Sequence, residues 1–395
     1  MPSTRPLIRL LFVGLLSVLA GCSTLKGWFS MDSDDAANQP APLEDIAQEV
    51  DIKKVWSTSV GSGQGKGYNY LAPVIEGQVM YVASNDGLVV ALDKNTGKTI
   101  WKEDLDRPIS GGVGVGSGTL VVGTSDGEVL LLSASDGSVQ WTASVHGEVL
   151  SAPQTNGQIV LVQSYDGRLQ GLSASDGSEL WVYGSNVPIL TLRGTCTPII
   201  EGRLAIAAFA NGKVMALDVK TGAIRWEARA VIAQGRSEID RIVDIDGHML
   251  LVGNILYAVG YQGRLVALDV STGRKMWQQD ASSYVGLDQG FGNIYVADAN
   301  GSVVAFHRSG QGVRWEQPAL EYRRLSSPKT VKGYVTVADL DGYVHFLSQV
   351  DGHFVGRIKV DGDGVRGRML AEEDILYVYG NGGKLVALRV SGREQ

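Results

Sequence analysis

The chain has 395 residues, 44% of them hydrophobic, and 51 glycines. Such a length and apolar content can bury a large interior, and that much glycine excludes a mainly helical protein. A formal charge of −7 argues against nucleic acid or an anionic membrane surface as a partner.

At the N-terminus, Arg5 and Arg9 precede the apolar run LLFVGLLSVLA at 10–20, which is too short for a permanent membrane-spanning helix. Residues 1–21 therefore read as a secretory signal. The run ends in LAGC, Leu19 to Cys22, which resembles the bacterial lipobox, where the cysteine receives the lipid. Ser23 follows in place of the aspartate that tends to hold such lipoproteins at the inner membrane, so the resemblance implies transfer to the outer membrane, with acyl chains as the anchor. Residues 22–50 are polar, with SDD and NQPAP, and read as the lipidated cysteine and a flexible tether. Residues 51–395 form the folded body.

Within that body one unit recurs. NDGLVVALDKNTGKTIW, SDGEVLLLSASDGSVQW and YDGRLQGLSASDGSELW open a series of eight copies whose first glycines are Gly87, Gly127, Gly167, Gly212, Gly263, Gly301, Gly342 and Gly383. Successive spacings are 40, 40, 45, 51, 38, 41 and 41 residues. A period near forty made of short alternating strands indicates an all-β, eight-bladed β-propeller with four antiparallel strands to a blade. Asp-Gly or Asn-Gly between two apolar runs supplies the positive φ of a tight hairpin, and a second turn leads into an outer strand. That strand carries Trp101, Trp141, Trp181, Trp226, Trp277 or Trp315, placed to fill the wedge between diverging blades. The eighth copy stops after LVALRV without an outer strand, while KKVWSTSV at 53–60 offers an unpaired strand with Trp56. The N-terminal strand is thus expected to complete the last blade and hide its edge. Gly356 stands where the seventh copy should have tryptophan, so a weaker rim contact is expected there.

Two connections between blades are long. One carries PILTLRG, Pro188 to Gly194, and the other GRSEIDRIVDIDG, Gly235 to Gly247. Strand alternation puts both on the face of the Asp-Gly hairpins. Leu190 and Leu192 beside Arg193, near Asp244 and Asp246, make a protein-binding patch with an arginine anchor, against the alternative of core leucines and solvated charges.

The lipobox, the eight copies of the tryptophan-bearing repeat and LTLRG followed by EIDRIVDID together resemble the BamB family, the propeller lipoproteins of the outer-membrane β-barrel assembly machinery, over essentially the whole chain. The resemblance implies a non-catalytic scaffold without a cofactor, held by lipid in the outer membrane and facing the periplasm of a Gram-negative cell. It implies binding to the periplasmic POTRA domains of BamA and help in folding and inserting outer-membrane β-barrels. Leu190, Leu192 and Arg193 match the family's BamA-binding loop, and Asp244 and Asp246 match the acidic pair of the neighbouring loop. Cys196, in GTCTP, departs from the pattern and reads as a buried small residue.

The repeat is also shared with quinone-cofactor dehydrogenases, which resemble this chain in fold but typically set a disulfide of adjacent cysteines against the cofactor. Here Cys22 and Cys196 are the two cysteines, and they are far apart. Five histidines show no zinc-type spacing. DGDGVRGRMLAE starts like a calcium loop at Asp361 but places Arg366 where the glycine belongs, and GSGQGKGY lacks the Ser or Thr of a phosphate loop. A third possibility is a chaperone that takes unfolded barrel strands onto an exposed blade edge.

Overall fold

The computed structural model describes residues 39–232 and 242–393. The compact unit that begins at Pro42 contains, among the described residues, eight four-stranded antiparallel sheets. Blade 1 consists of Val74–Glu76, Val79–Ala83, Leu88–Asp93 and Thr99–Asp104, from the innermost strand outward. Blades 2 to 7 repeat this order over residues 109–144, 154–184, 199–229, 250–280, 287–317 and 329–359. The second and third strands, such as VMYVA and LVVALD, are buried on both faces, which is why they are apolar almost without interruption. Outer strands such as TIWKED have one face in solvent and alternate.

Blade 8 is closed by the beginning of the chain, as the sequence suggests. Val50–Ser59 pairs antiparallel with Lys384–Gly392, the third strand of that blade. The register matches that of the other blades. Trp56 faces Ala387 just after a bulge at Val55, as Trp101 faces Ala91 after a bulge at Ile100. The bulge sets one extra residue outside the ladder, which leaves Val55, Ile100, Leu180 and Met276 exposed on the rim.

The tryptophans explain the second glycine of each repeat. Gly97, Gly137, Gly177, Gly222, Gly273, Gly310 and Gly352 have φ between +67° and +83°, and a Cβ on any of them would lie 2.4–2.8 Å from the indole of the preceding blade. Glycine thus serves both the turn and the stacking of a flat ring against bare backbone. Each of six indole Nε1 atoms donates into the same turn, from Trp56 to the Lys94 carbonyl at 2.9 Å through to Trp315 to the Gln349 carbonyl at 3.2 Å. Trp56 docks on Gly97 of blade 1, so the same contact that joins neighbours also shuts the ring.

Two expectations need correction at the start of the chain. Residues 42–49, read as part of the tether, lie against blade 7: Leu43 packs on its core, Arg357 Nη1 donates to the Glu44 carbonyl at 2.9 Å, and Glu49 N–H donates to the Val355 carbonyl at 2.7 Å. These contacts also fill the site of the missing tryptophan. A Cβ on Gly356 would meet Val50 Cγ1 at 2.5 Å, Gln48 Nε2 at 3.0 Å and Ile52 Cδ1 at 3.2 Å. Opposite it, Phe346 stands where most blades have alanine or glycine, so the large and small partners are exchanged across the strand pair. The contact is rebuilt rather than weakened.

It follows that restoring the repeat's tryptophan should harm the protein. Gly356→Trp is expected to lower stability by about 1–3 kcal/mol or more through overpacking. Thermal melting checks this, and a raised melting temperature would show that the site is empty.

Candidate functional site

In each blade the chain runs from the axis to the rim and must then cross back over one face to begin the next blade. That crossing lies outside the strand ladders, so its length can vary. Two long crossings, 185–198 between blades 3 and 4 and 230–249 between blades 4 and 5, both emerge on the hairpin face. The Asn211 amide in the blade 4 hairpin donates to Ser185 Oγ at 2.9 Å and to the Asn186 carbonyl at 3.0 Å. Val231 N–H donates to the Gly212 carbonyl at 3.1 Å, and Tyr261 N–H to the Asp244 carbonyl at 2.8 Å. Residues 233–241 of the second crossing, which include its SEID segment, lie outside the described residues, as does Cys22.

The structure brings the named residues of the two loops together, in different roles. Leu190 is exposed on the outside of the first loop and Leu192 is half-buried beneath it. Arg193 is held: its Nη1 donates to Glu148 Oε2 at 2.6 Å and its Nη2 to Glu148 Oε1 at 3.2 Å, which fastens the loop to the crossing between blades 2 and 3. Glu148 also raises the arginine's pKa. Tyr165 and Thr191 hydroxyls, 3.1 Å apart, tie the loop to the blade 3 hairpin.

The acidic pair lies under this loop and does not stand at the surface beside it. Asp244 is buried, and its Oδ2 accepts the Leu192 N–H at 2.9 Å. Asp246 is half-buried and rests against Gly194, where a Cβ would come within 2.7 Å of its carboxyl. The glycine of LRG is therefore there for space. Burial pushes the Asp244 carboxyl up to about 6, with the bonds from Asp246 and Leu192 partly offsetting it. Burial, and then the charge of Asp244, push Asp246 well above the usual carboxylate range. Two buried carboxyls in this position hold one proton between them more readily than two charges. Cys196 joins the same base: its Sγ donates to the Gly247 carbonyl at 3.1 Å, and burial pushes its thiol up to about 12. It is an inert packing residue, as the sequence suggests.

Four contributors escape sequence reasoning. Ile189 is 94% exposed, the most open of the large apolar side chains described, and Val187 and Ile232 are also exposed in the same two crossings. Their hydrophobicity is legible, and their orientation is not. Glu148 has no spacing or motif that marks it as the partner of Arg193.

The ring is similar to solved propellers of a wider class. Quinohemoprotein alcohol dehydrogenase from Comamonas testosteroni matches with a TM-score of 0.67 at 14% identity, over 89% of this chain and 79% of that one, a likeness of fold alone. The class is thus the eight-bladed quinoprotein-type propeller. Within it, the profile described as outer membrane protein assembly factor BamB matches residues 49–102 and 85–317. A BamB of Pseudomonas aeruginosa is 62% identical over 351 residues, 89% of this chain and 92% of the relative. BamB from Moraxella catarrhalis, as a crystal structure, matches with a TM-score of 0.79 at 29% identity over 86% of this chain and 99% of that one. The chain belongs to the BamB family.

The shared proton makes a testable difference between two variants. Asp244→Asn keeps an acceptor for Leu192 and removes a buried charge. Because the folded-state pKa of Asp244 is raised, the wild type loses stability as pH rises through about 6. The variant should therefore melt higher than wild type at pH 8, with the gap closing by pH 5. Asp244→Ala leaves the Leu192 N–H without its partner, should cost roughly 1–3 kcal/mol at either pH, and should open the loop to protease.

Proposed function

We propose that this protein is a non-catalytic scaffold of the outer-membrane β-barrel assembly machinery, which docks on the periplasmic POTRA domains of BamA through residues 188–194. Its family membership supports the assembly role, since the relatives carry the name outer membrane protein assembly factor. The observation that carries the docking surface is the pairing of an exposed apolar tip with a rigid base. Ile189 and Leu190 point away from the ring, while Asp244 and Glu148 hold Leu192 and Arg193 from below and beside. Such a tip needs little further ordering when it is covered, which favours affinity. In this reading Leu190 and Ile189 make the contact, Leu192 and Arg193 shape it, and the two aspartates act by positioning the loop.

Cys22, as the lipidated residue after a cleaved signal, would tether the ring to the outer membrane on its periplasmic side. The chain's only other cysteine is the buried Cys196, so it offers no adjacent pair of the kind that quinone dehydrogenases set against their cofactor. Direct capture of unfolded barrel strands is a secondary activity of the same scaffold. It is favoured by the apolar side chains on the open outer strands, among them Ile100, Leu180, Ile224 and Val313.

The test is co-purification of BamA with Ile189→Asp/Leu190→Asp. A loss of about tenfold or more with an unchanged melting temperature is expected, because neither side chain contributes to the core. Full retention of BamA by the folded variant would place the docking surface elsewhere.

A further inference from the structure

Residues 42–49 form a strap beside the outer strand of blade 7, Phe354–Lys359, before the chain enters Val50–Ser59 and closes blade 8. Arg357 holds the strap from the side. Its Nη1 donates to the Glu44 carbonyl at 2.9 Å, and its backbone N–H donates to Gln48 Oε1 at 3.3 Å. Behind Arg357 lies a chain of buried polar groups. Arg357 Nε donates to His345 Nδ1 at 3.0 Å, His345 Nε2 lies 2.9 Å from Asp339 Oδ2, and the same oxygen accepts from Arg323 Nε at 2.7 Å. The side chains of His345 and Asp339 are both 0% exposed, and Arg323 also pairs with Asp341.

These partners fix the protonation state of the imidazole. A guanidinium only donates, so Nδ1 must be the bare nitrogen, and the proton sits on Nε2 facing the Asp339 carboxylate. A second proton, on Nδ1, would point at the Arg357 N–H and set a third cation between two guanidiniums. Arg357 therefore cannot keep this bond when His345 is charged. Burial lowers the His345 pKa against the pull of Asp339, and the charges of Arg357 and Arg323 lower it further. Burial also opposes the charge on Asp339, but the bonds from His345 and Arg323 outweigh it and hold that carboxyl below its usual range. Tyr343 and Asp45 are the other titrating groups close to Arg357.

The far end of the strap meets a second histidine, of opposite response. His353 is half-exposed, with Nδ1 2.7 Å from Asp351 Oδ1 and Nε2 3.2 Å from Glu49 Oε2. Its bond to Asp351 first, and then Glu49, raise its pKa. It grips Glu49 best when charged.

We propose that the strap is an acid-released latch: protonation of His345 frees Arg357 and with it residues 42–46, while charged His353 keeps Glu49 in place as the pivot. Because the folded-state pKa of His345 is lowered, the closed latch has full strength above the ordinary histidine value of about 6.5 and loses it as pH falls below that. The pKa of His353 is raised, so its hold is complete below the ordinary value and is lost only as pH rises through the raised one. Residues 42–46, at up to about 3.5 Å each, add up to roughly 17 Å to the reach of the lipid tether proposed above. That consequence rests on the lipid anchor, and the release itself does not.

The test places a nitroxide on Pro42→Cys or on Ala47→Cys in the full-length protein in detergent and follows its mobility from pH 8 to pH 5. Both positions are exposed and Cys196 is buried, and the unsubstituted protein treated alike is the blank. On acidification the mobile fraction at 42 is expected to rise about tenfold or more, and that at 47, next to the pivot, far less. His345→Gln keeps a donor and an acceptor but takes no proton, so the label at 42 should stay immobile at pH 5. Arg357→Met should mobilise it already at pH 8, with thermal melting at that pH confirming the fold. The proposal fails if the label at 42, with His345 in place, is as immobile at pH 5 as at pH 8, or if 42 and 47 are released alike. It also fails if His345→Gln lets go in acid as the parent does, or if Arg357→Met leaves the strap held at pH 8. None of these readouts involves BamA, so this result stands or falls apart from the docking loop.

Discussion

An indole lying on a bare turn of backbone is the contact on which this ring depends. A four-stranded sheet this short cannot bury both faces alone, and neighbouring blades diverge from the axis, so each interface opens toward the rim. Trp56, Trp101, Trp141, Trp181, Trp226, Trp277 and Trp315 close that opening, and the turn glycines let the ring approach to van der Waals distance. An indole hydrogen bond into the same turn adds about 1 kcal/mol and fixes the angle between the blades. Because Trp56 comes from the start of the chain, closing the last sheet and closing the circle are one event. The seventh blade departs from the rule without a gap, since the entering chain and Phe346 occupy the volume that its tryptophan would have filled.

The crossings over the loop face bury residues such as Val231, Val243 and Ile245 but lie outside the strand ladders that fix the blades. They can lengthen without disturbing the ring, and two long ones, 185–198 and 230–249, do so next to each other. The second supplies a buried carboxyl that grips the backbone of the first, and a neighbouring crossing supplies Glu148 for its arginine. The result is a stiff base under an apolar tip. Burying a carboxyl pair at this point costs less because one proton between two acids removes one of the two charges that burial opposes.

The loop and the cavity at the mouth of the ring share this base. Gly194, Thr195 and Asp246 line the cavity while belonging to the loop or to its support, so whatever sits at the mouth of the ring is in contact with the segment that carries Ile189 and Leu190.

Period, turn chemistry and alternation in the sequence were enough to determine the architecture: eight copies, their strand order, the swap that seals the last sheet, and the face on which the long crossings emerge. These are local properties, repeated until chance is excluded, and each copy states the same preference. The long loop was legible as a place, through the break in period and the cluster of apolar residues around Arg193. What only the tertiary structure decided is the part each residue plays. Asp244 and Asp246 read as surface charges until the fold puts them under Leu192 and Gly194, and Gly356 reads as a defect until Val50 arrives from three hundred residues away. Burial and pairing between distant segments depend on where the ring brings them. No run of neighbouring residues carries that information.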